Sequence, residues 1–571
     1  MEKEIKNLIK DALLNLEIEC SEITLEHPED LKNGDYSTNV AMVVARAMKE
    51  NPKSLAEKIV AQILRLNVDN RIEKVEVASV GFINFYLSRK FFSESLEEIV
   101  NKGEDFGKND VLLGKKIMVE YTQPNPFKPF HIGHLMSNAI GESISRLVGF
   151  SGAEIYRSNY QGDVGLHVAK AIYGLLKNEN LQERLEDHNV CASNIGKAYV
   201  CGAKLYEEDE KIKKEIDELN KKIYDRNDEK INEIYGWGFE VTMKAFEDIY
   251  KMLGTKFDFY FLESQMAEIG KGIIKKNTGN VFEESDGAVV FKGEKYDPKL
   301  HTRVFITKSG LPTYEAKELG LTEEKFKTKP DMDFSIVITA SEQMDYMKVV
   351  AKAISIIHPE FSGKMKHITH GMMRFASGKM GSRKGNVITG ESLINDVKEI
   401  VSSKMQDRDF TKEEKEKIIS DVAVSAIKYS ILKQSTGGDI IYDFEKSISF
   451  EGDSGPYLQY SYARASSVLE KAGNEDVLPD FEYLPEEVFE VEKLLYRFPE
   501  VVEKAVREYE PHYISTYLIE LARAYNSFYG NNLIVDKKEK TSSYKVALTY
   551  AFTFTMKSGL YLLGISAPKK M

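Results

Sequence analysis

Histidine, cysteine and tryptophan are all scarce in this chain, with ten, three and one among 571 residues. The cysteines Cys20, Cys191 and Cys201 are too few and too scattered for a disulfide framework, and none sits in a Cys-x-x-Cys metal pattern. No uninterrupted apolar stretch reaches bilayer-spanning length. The opening "MEKEIKNLIKDALLNLEIEC" alternates charge with apolar residues and lacks the apolar centre of a signal peptide. The expectation is a cytoplasmic protein with no membrane partner. A basic excess is missing as well: 78 Lys and Arg stand against 90 Asp and Glu, a net charge of −12. Bulk charge therefore gives no reason to bind nucleic acid, although a local basic groove stays compatible with it. Internal repeats and low-complexity tracts are absent too.

What is present is a chain too long for one core, with 42% hydrophobic and 29% charged residues, as in ordinary globular proteins. The first ~90 residues read as a small α+β unit. In "LKNGDYSTNVAMVVARAMKE", Val40, Val43, Val44 and Met48 recur at helical spacing. "KVEVASVGFINFYLS" reads as two strands broken at Gly81, and "NKGEDFGKND" as a linker. From Lys115 the pattern changes. "KKIMVEYT" is a short buried strand. A loop follows, then a helix with Leu135, Met136, Ala139, Ile140, Ile144, Leu147 and Val148 on one face, stopped by Gly149 and Gly152, and then the strand "AEIYRSNY". Strand, loop, helix, strand is a βαβ unit, whose ligands sit beyond the carboxyl ends of its strands. The charged helical stretch at about 180–250 reads as an insertion with a solvated face. Strands return at "GAVVF", "TRVFIT" and "FSIVITA", and beyond about 410 the chain reads as helix with an aromatic-rich apolar face.

Two of the ten histidines fall three residues apart, in "KPFHIGHL" at the mouth of the βαβ helix. Random placement of ten histidines and 38 glycines would make such a tetrad in about one chain in ninety, so context has to decide its meaning. His131 ends the loop and His134 lies one turn into the helix, on the same face. Their ring nitrogens and the free N–H groups of the helix start then address one space, and Gly133 allows a ligand close to the backbone. A pair of satisfied helix-end histidines is the plainer reading; a strand before and a βαβ helix after favour a phosphate site. Attack on the α-phosphate of a nucleoside triphosphate is stabilised mainly by positioned donors and cations, so more positive charge is needed. "FASGKMGSRKGNVIT" supplies it, with Lys379, Arg383 and Lys384 among glycines.

With these blocks in view, the chain resembles the arginyl class I aminoacyl-tRNA synthetases. "HIGH" at residues 131–134 matches the family's first signature and "KMGSR" at 379–383 resembles its second. "NGDYSTNVAM" and "VGFINFYLS" resemble its N-terminal add-on domain; "VEYTQPNPFKPFHIGHL" and "RSNYQGDVG" resemble its core. "SGPYLQYSYARASSVLEKA", "EPHYISTYLIELARAYNSFY" and "LLGISAPKKM" resemble its anticodon-binding helices. The resemblance implies an α/β fold. A Rossmann-like class I synthetase catalytic core would span 111–375, with its helical insertion at 180–250. An N-terminal α+β add-on domain (1–98) would touch the tRNA elbow, 376–453 would carry the signature loop and stem contacts, and 454–571 would form an all-helical anticodon-binding domain.

The reaction so implied joins arginine to tRNA(Arg) by way of arginyl-adenylate, with ATP and its Mg²⁺ as cofactors and no protein-ligated metal, in a monomer. His131, Gly133 and His134 would hold the nucleotide, with Lys379, Met380, Ser382 and Arg383 closing on the leaving pyrophosphate. The family's second signature lysine is replaced by Ser382, and Lys128, three residues before His131, is assigned the missing charge. A guanidinium is best read by carboxylates and amides, and Glu120, Asn125, Tyr314, Glu318 and Gln343 stand where the family binds arginine. The family usually has Asp at the position of Glu318. Glu120 is also favoured on physical grounds, because a charged residue closing a buried strand needs a partner. For tRNA, Tyr457 and Tyr460, with Phe82 and Asn84 in the add-on domain, are the expected contacts. Two alternatives remain: a glutamyl-type synthetase, whose pocket should be cationic where Glu120 stands, and a small-molecule nucleotidyltransferase with a His-x-Gly-His site, which needs no long helical domain.

Overall fold

The computed structural model describes residues 1–66, 69–376, 389–405 and 410–571. By contact, the chain divides into two compact units. One comprises Met1–Phe106, Arg464–Phe498 and Glu520–Met556; the other comprises Gly107–Ala463, Pro499–Ile519 and Lys557–Met571. The helices beyond residue 454 are thus shared between both.

The second unit is built on five parallel strands: β1 (Lys116–Glu120), β2 (Glu154–Gln161), β3 (Phe259–Leu262), β4 (Phe334–Ala340) and β5 (Met365–His370). Their order across the sheet is β5-β4-β1-β2-β3, every pair parallel. Ile117, Met118 and Val119 are fully buried, as a strand covered on both faces requires. The chain steps from β1 to β2 to β3 on one side and then crosses back to place β4 and β5 on the other side of β1, so the switch point lies between β1 and β4, where such sheets bind ligands. Helix α1 (Ile132–Phe150) returns the chain from β1 to β2. It passes through Gly149, expected to stop it, and ends one residue later; Gly152 follows in the left-handed region at φ +95°. α1 lies close on the β1 end: a Cβ at Gly141 would come within 2.2 Å of Tyr121 Cγ.

Three helices, His188–Glu208, Glu210–Asp225 and Glu229–Leu253, form the insertion. They share an apolar cluster that includes Ile195, Ile216, Ile223 and Ile234, which leaves their charged positions to solvent. Between β3 and β4 the chain adds a three-stranded antiparallel sheet and helix α2 (Tyr314–Thr328). A short strand, Ile440–Tyr442, interrupts the expected all-helical run and pairs in parallel with Met373–Phe375.

The first unit carries a three-stranded antiparallel sheet in which Phe82–Leu87 lies between Tyr36–Thr38 and Ile72–Ala78. Gly81, at φ +127°, makes the break between two of these strands. In the helix Val40–Met48 the buried positions are Val40, Ala41, Val44 and Ala45; Val43 and Met48, expected on the apolar face, are exposed. Small alanines fill the space that larger residues were expected to take. Arg89 ties the N-terminal part to the helices by a bidentate pair with the buried Glu492, at 2.9 and 2.7 Å.

Candidate active site

At the switch point, beyond the ends of β1, β2 and β4, lies a cavity of about 270 Å³. The loop from β1 to α1 forms one wall. Three of its non-glycine residues, Thr122, Gln123 and Phe127, hold positive φ values of +78°, +51° and +66°, a concentration of backbone strain typical of functional loops. This loop aims Asn125 and Lys128 into the cavity. Across it, a Cβ at Gly162 would come to 2.3 Å from Asn125 Oδ1, so the second wall needs glycine for Asn125 to keep its place.

His131 caps α1, and its N–H donates to His134 Nδ1 at 3.2 Å. The two rings stack with centroids 3.4 Å apart. Surrounding protein, then the Lys128 charge, pushes the His131 pKa down to about 4. Burial, then His131 and Lys128, holds His134 well below its ordinary value. Both rings are therefore neutral at pH 7. Because His134 Nδ1 accepts, its proton sits on Nε2. The pair offers N–H donors beside the first turn of α1, whose backbone N–H groups lack intrahelical partners. Lys128 supplies the nearby cation; burial and then Lys170 lower its pKa, while Glu263 raises it.

Glu263 and Glu318 line the opposite side of the cavity, Glu120 and Glu315 bear on it from behind, and the charges can be paired off. Glu263 meets Lys317 at 2.6 Å, Glu315 lies 3.7 Å from Arg303, and Glu120 is ion-paired with Lys325. Glu318 lines the cavity and, among the described residues, has no ion pair. Burial, followed by the Glu120 charge, raises its carboxyl to about 8. Tyr314 and Gln343 open onto the same space, and Gln343 Oε1 accepts from the Tyr346 hydroxyl at 3.0 Å. The arrangement fits a molecule with a cationic end at Glu318 and an anionic, phosphate-directed end at α1.

A larger groove, about 700 Å³, runs past Phe239, Met243 and Tyr260. It offers less chemistry: Glu240 is paired with Lys244, Asp248 with His188, and Glu247 accepts from Tyr260.

The catalytic-domain model of class I tRNA synthetases (R) matches residues 95–444, more than half the chain. An arginyl-tRNA synthetase N-terminal domain matches 3–87 and a DALR anticodon-binding domain 458–571. The arginine–tRNA ligase of Halothermothrix orenii is 30% identical over 576 residues, covering 100% of this chain and 99% of its own. The chain belongs to the arginine–tRNA ligases. Another member, from Fusobacterium nucleatum, is 32% identical, with 100% of this chain and 98% of that one covered. Solved structures share the fold: the arginyl-tRNA synthetase of Thermus thermophilus superposes with a TM-score of 0.81 at 23% identity, covering 100% of both chains. That of Plasmodium falciparum gives 0.79 at 20%, covering 100% of this chain and 99% of its own.

In this arginine–tRNA ligase the cavity gathers His131, Gly133, His134, Lys128, Asn125, Tyr314, Glu318 and Gln343. Glu120 is placed differently. It closes β1 as expected, but its carboxylate is taken by Lys325 and by Gln123 Nε2, which donates at 2.6 Å. The demand of a buried charge for a partner is thus met inside the protein. Lys379, Met380, Ser382 and Arg383 lie outside the described residues. The chain re-emerges at Thr389, which bridges to His131, and Gly390 N–H donates to Phe130 O at 2.8 Å. In the first unit Phe82 and Asn84 line a cavity of about 330 Å³, with Asn84 Oδ1 accepting from Ser37 Oγ at 2.7 Å. Tyr457 and Tyr460 are partly exposed, while Tyr462 and Tyr517 are buried.

The sequence reading missed Glu263, Lys317 and His167. The strand "FYFL" ends one residue before Glu263, much as "KIMVE" ends in Glu120, so the same reasoning could have found it. Lys317 stands in the Tyr314–Glu318 stretch itself. His167, held near a pKa of 3 by burial, contacts Gly162 O at 2.8 Å, and no motif announces it.

Proposed function

We propose that this cavity carries out the family's two-step ligation, with arginine's guanidinium on Glu318 and its carboxylate directed at the α-phosphate of ATP beside α1. The observation that carries this reading is Glu318, which lines the cleft with no ion pair among the described residues, while the other lining carboxylate, Glu263, and the neighbouring Glu120 and Glu315 are each matched by a cation. A carboxylate oxygen of arginine bonds to the α-phosphorus, the bond to the β-phosphate oxygen breaks, and pyrophosphate leaves with the electron pair. His134 Nε2–H, the His131 ring and the first-turn N–H groups of α1 stabilise the charge on the reacting phosphate, and Lys128 adds a full positive charge. Lys379, with Met380, Ser382 and Arg383, would hold the nucleotide and leaving pyrophosphate as in the resembling signature loop. Mg²⁺, arriving on the ATP phosphates, supplies charge neutralisation. Asn125 and Gln343 orient the amino acid. In the second step a ribose hydroxyl at the tRNA 3′ end attacks the arginyl carbonyl and AMP leaves. Phe82 and Asn84 on one unit, and Tyr457 and Tyr460 on the other, are the proposed tRNA contacts, each offering a ring or an amide suited to unpaired bases. The enzyme so read is a cytoplasmic monomer; among the described residues, no helix is long and apolar enough to cross a membrane.

A glutamyl-type pocket fits poorly, since a substrate carboxylate would face Glu318 and Glu263. The test is ATP–pyrophosphate exchange with each protein amino acid in turn, with and without total tRNA. Exchange with arginine alone, requiring tRNA, is expected; exchange driven by glutamate would overturn the reading.

A further inference from the structure

Lys325 takes no part in the steps above, yet it is among the most buried cations of the fold. Its side chain is 2% exposed, and that of its partner Glu120 is 1% exposed. It stands on α2 seven residues after Glu318, two turns along the same helix, and its Nζ lies 3.5 Å from Ser335 Oγ at the start of β4. Glu120 lies between β2 and β4, in register with Ser158 and Val337, and is itself fully buried. Taking a lysine and a carboxylate out of water costs several kcal/mol for each ion, and an apolar pair of similar volume would pack the same space more cheaply. The pair therefore calls for a reason beyond stability.

Charge balance supplies one. Glu120, Glu263, Glu315 and Glu318 all bear on this region, and each of the other three raises the Glu318 pKa, whereas Lys325 lowers it. Tyr160 and Tyr346 face the same carboxylates, and burial first, then those charges, pushes both phenols up. With Lys325 on Glu120, Lys317 on Glu263 and Arg303 by Glu315, the balance leaves one carboxylate open. We propose that Lys325 is a specificity-positioning residue: an internal counter-cation that neutralises Glu120 and so sets the amino-acid pocket to accept one positive charge, at Glu318. Without it, two carboxylates at the β1–α2 contact would compete for one guanidinium and for one proton. With Glu120 removed instead, the ammonium would turn to Glu318 and occupy the substrate's place. The inference rests on the proposed role of Glu318.

Four variants test it, each assayed for tRNA aminoacylation across pH 6.5 to 8.5 with KM for arginine and for ATP. Lys325→Met should raise the arginine KM about tenfold or more at pH 7.5, since breaking a buried pair strands its partner; the ATP KM should stay put, and the pH at which arginine binding strengthens should move upward. Glu120→Gln should also raise the arginine KM, but with that pH moved downward. The double variant Glu120→Gln/Lys325→Met, which removes both charges and keeps the volume, should recover most of the lost affinity, and Lys325→Arg should behave almost as the parent. A double variant as impaired as the sum of its singles would overturn the proposal, as would a Lys325→Met enzyme that loses kcat, ATP and arginine affinity in parallel with no pH displacement. If Lys325→Met fails to fold, the comparison of Glu120→Gln with the double variant decides alone. Glu318→Gln separates the two readings. An unchanged arginine KM there sinks the Glu318 assignment itself, whereas a defective Glu318→Gln beside an indifferent Lys325 series sinks only the counter-cation.

Discussion

Raising pH from 6.5 to 8.5 should tighten arginine binding steeply, because Glu318, the carboxyl proposed to receive the guanidinium, is held at about 8 against an ordinary 4.5. The guanidinium keeps its charge throughout that range, so the variable is the fraction of Glu318 ionised in the empty pocket. That fraction rises from about 3% to about 75%, and the arginine KM should fall about 25-fold. The sign follows from the direction of the shift: burial and the Glu120 charge favour the protonated form, and only the ionised form pairs with the substrate. Stability carries the same signature. From pH ~4.5 to ~8 the folded protein keeps a proton that the unfolded chain has released, so this group's contribution to stability is lost as pH rises through that window. Arginine should restore more at pH 8.5 than at 6.5. Steady-state aminoacylation gives the KM values, with ATP as the internal reference, and thermal melts with and without arginine give the linked stability. Glu318→Gln should abolish the slope. A parent enzyme whose arginine KM is flat across the window would refute the reasoning.

Replacing His134 with alanine should slow adenylation by about 10²- to 10³-fold, the usual loss for one transition-state donor. His134→Gln, which restores an N–H, should recover part of the pyrophosphate-exchange rate, and equal activity of both variants would remove the donor role. Lys128→Ala should lower pyrophosphate exchange about tenfold or more; near-parental exchange would show that the charge missing from the signature loop comes from another residue. Gly162→Ala drives a methyl against Asn125 Oδ1 and should raise the arginine KM well above any change in melting temperature. Arg89→Met strands the buried Glu492 in the first unit and should cost about 3–5 kcal/mol in urea unfolding, with little effect on the arginine KM.

The βαβ core could be read from the sequence because its signals are local: Ile117, Met118 and Val119 form a continuous apolar run, and the apolar residues of α1 recur at helical spacing, although the helix is buried nearly all round, through Ser137, Asn138, Glu142 and Ser143 as well. His131 and His134 were found for the same reason, being three residues apart on one helix. Their neutrality was not legible, since it comes from burial and from Lys128 across the loop. The Glu120–Lys325 pair was hidden further still. It joins residues far apart in the chain through β1, β4 and α2, and nothing in "TEEKFKT" distinguishes a core lysine from a solvated one. Val43 and Met48 mark a limit of another kind, for spacing identifies a helix but cannot choose between two adjacent apolar stripes when alanines can fill the core.

Two walls of one cavity treat charge in opposite ways, and the reaction explains why. At α1 the donors are neutral imidazoles and backbone N–H groups, fixed before the substrate arrives, so they cost no reorganisation when charge builds on the phosphate. A protonated histidine pair there would attract the carboxylate and hold it in place, gaining ground-state affinity with nothing left for the transition state. At α2 the proposed task is selection: the neighbouring carboxylates are each matched by a cation, and Glu318 is left to ionise against the incoming guanidinium. The strained loop 121–131 joins the two walls. Its Asn125, given room by the absence of a side chain at Gly162, lines the cavity and is proposed to align the carboxylate for attack. Binding energy collected at Glu318 can thereby be used at the phosphate, which is why substitutions in the acidic wall should change the arginine KM while those at His131 and His134 change the rate of adenylation.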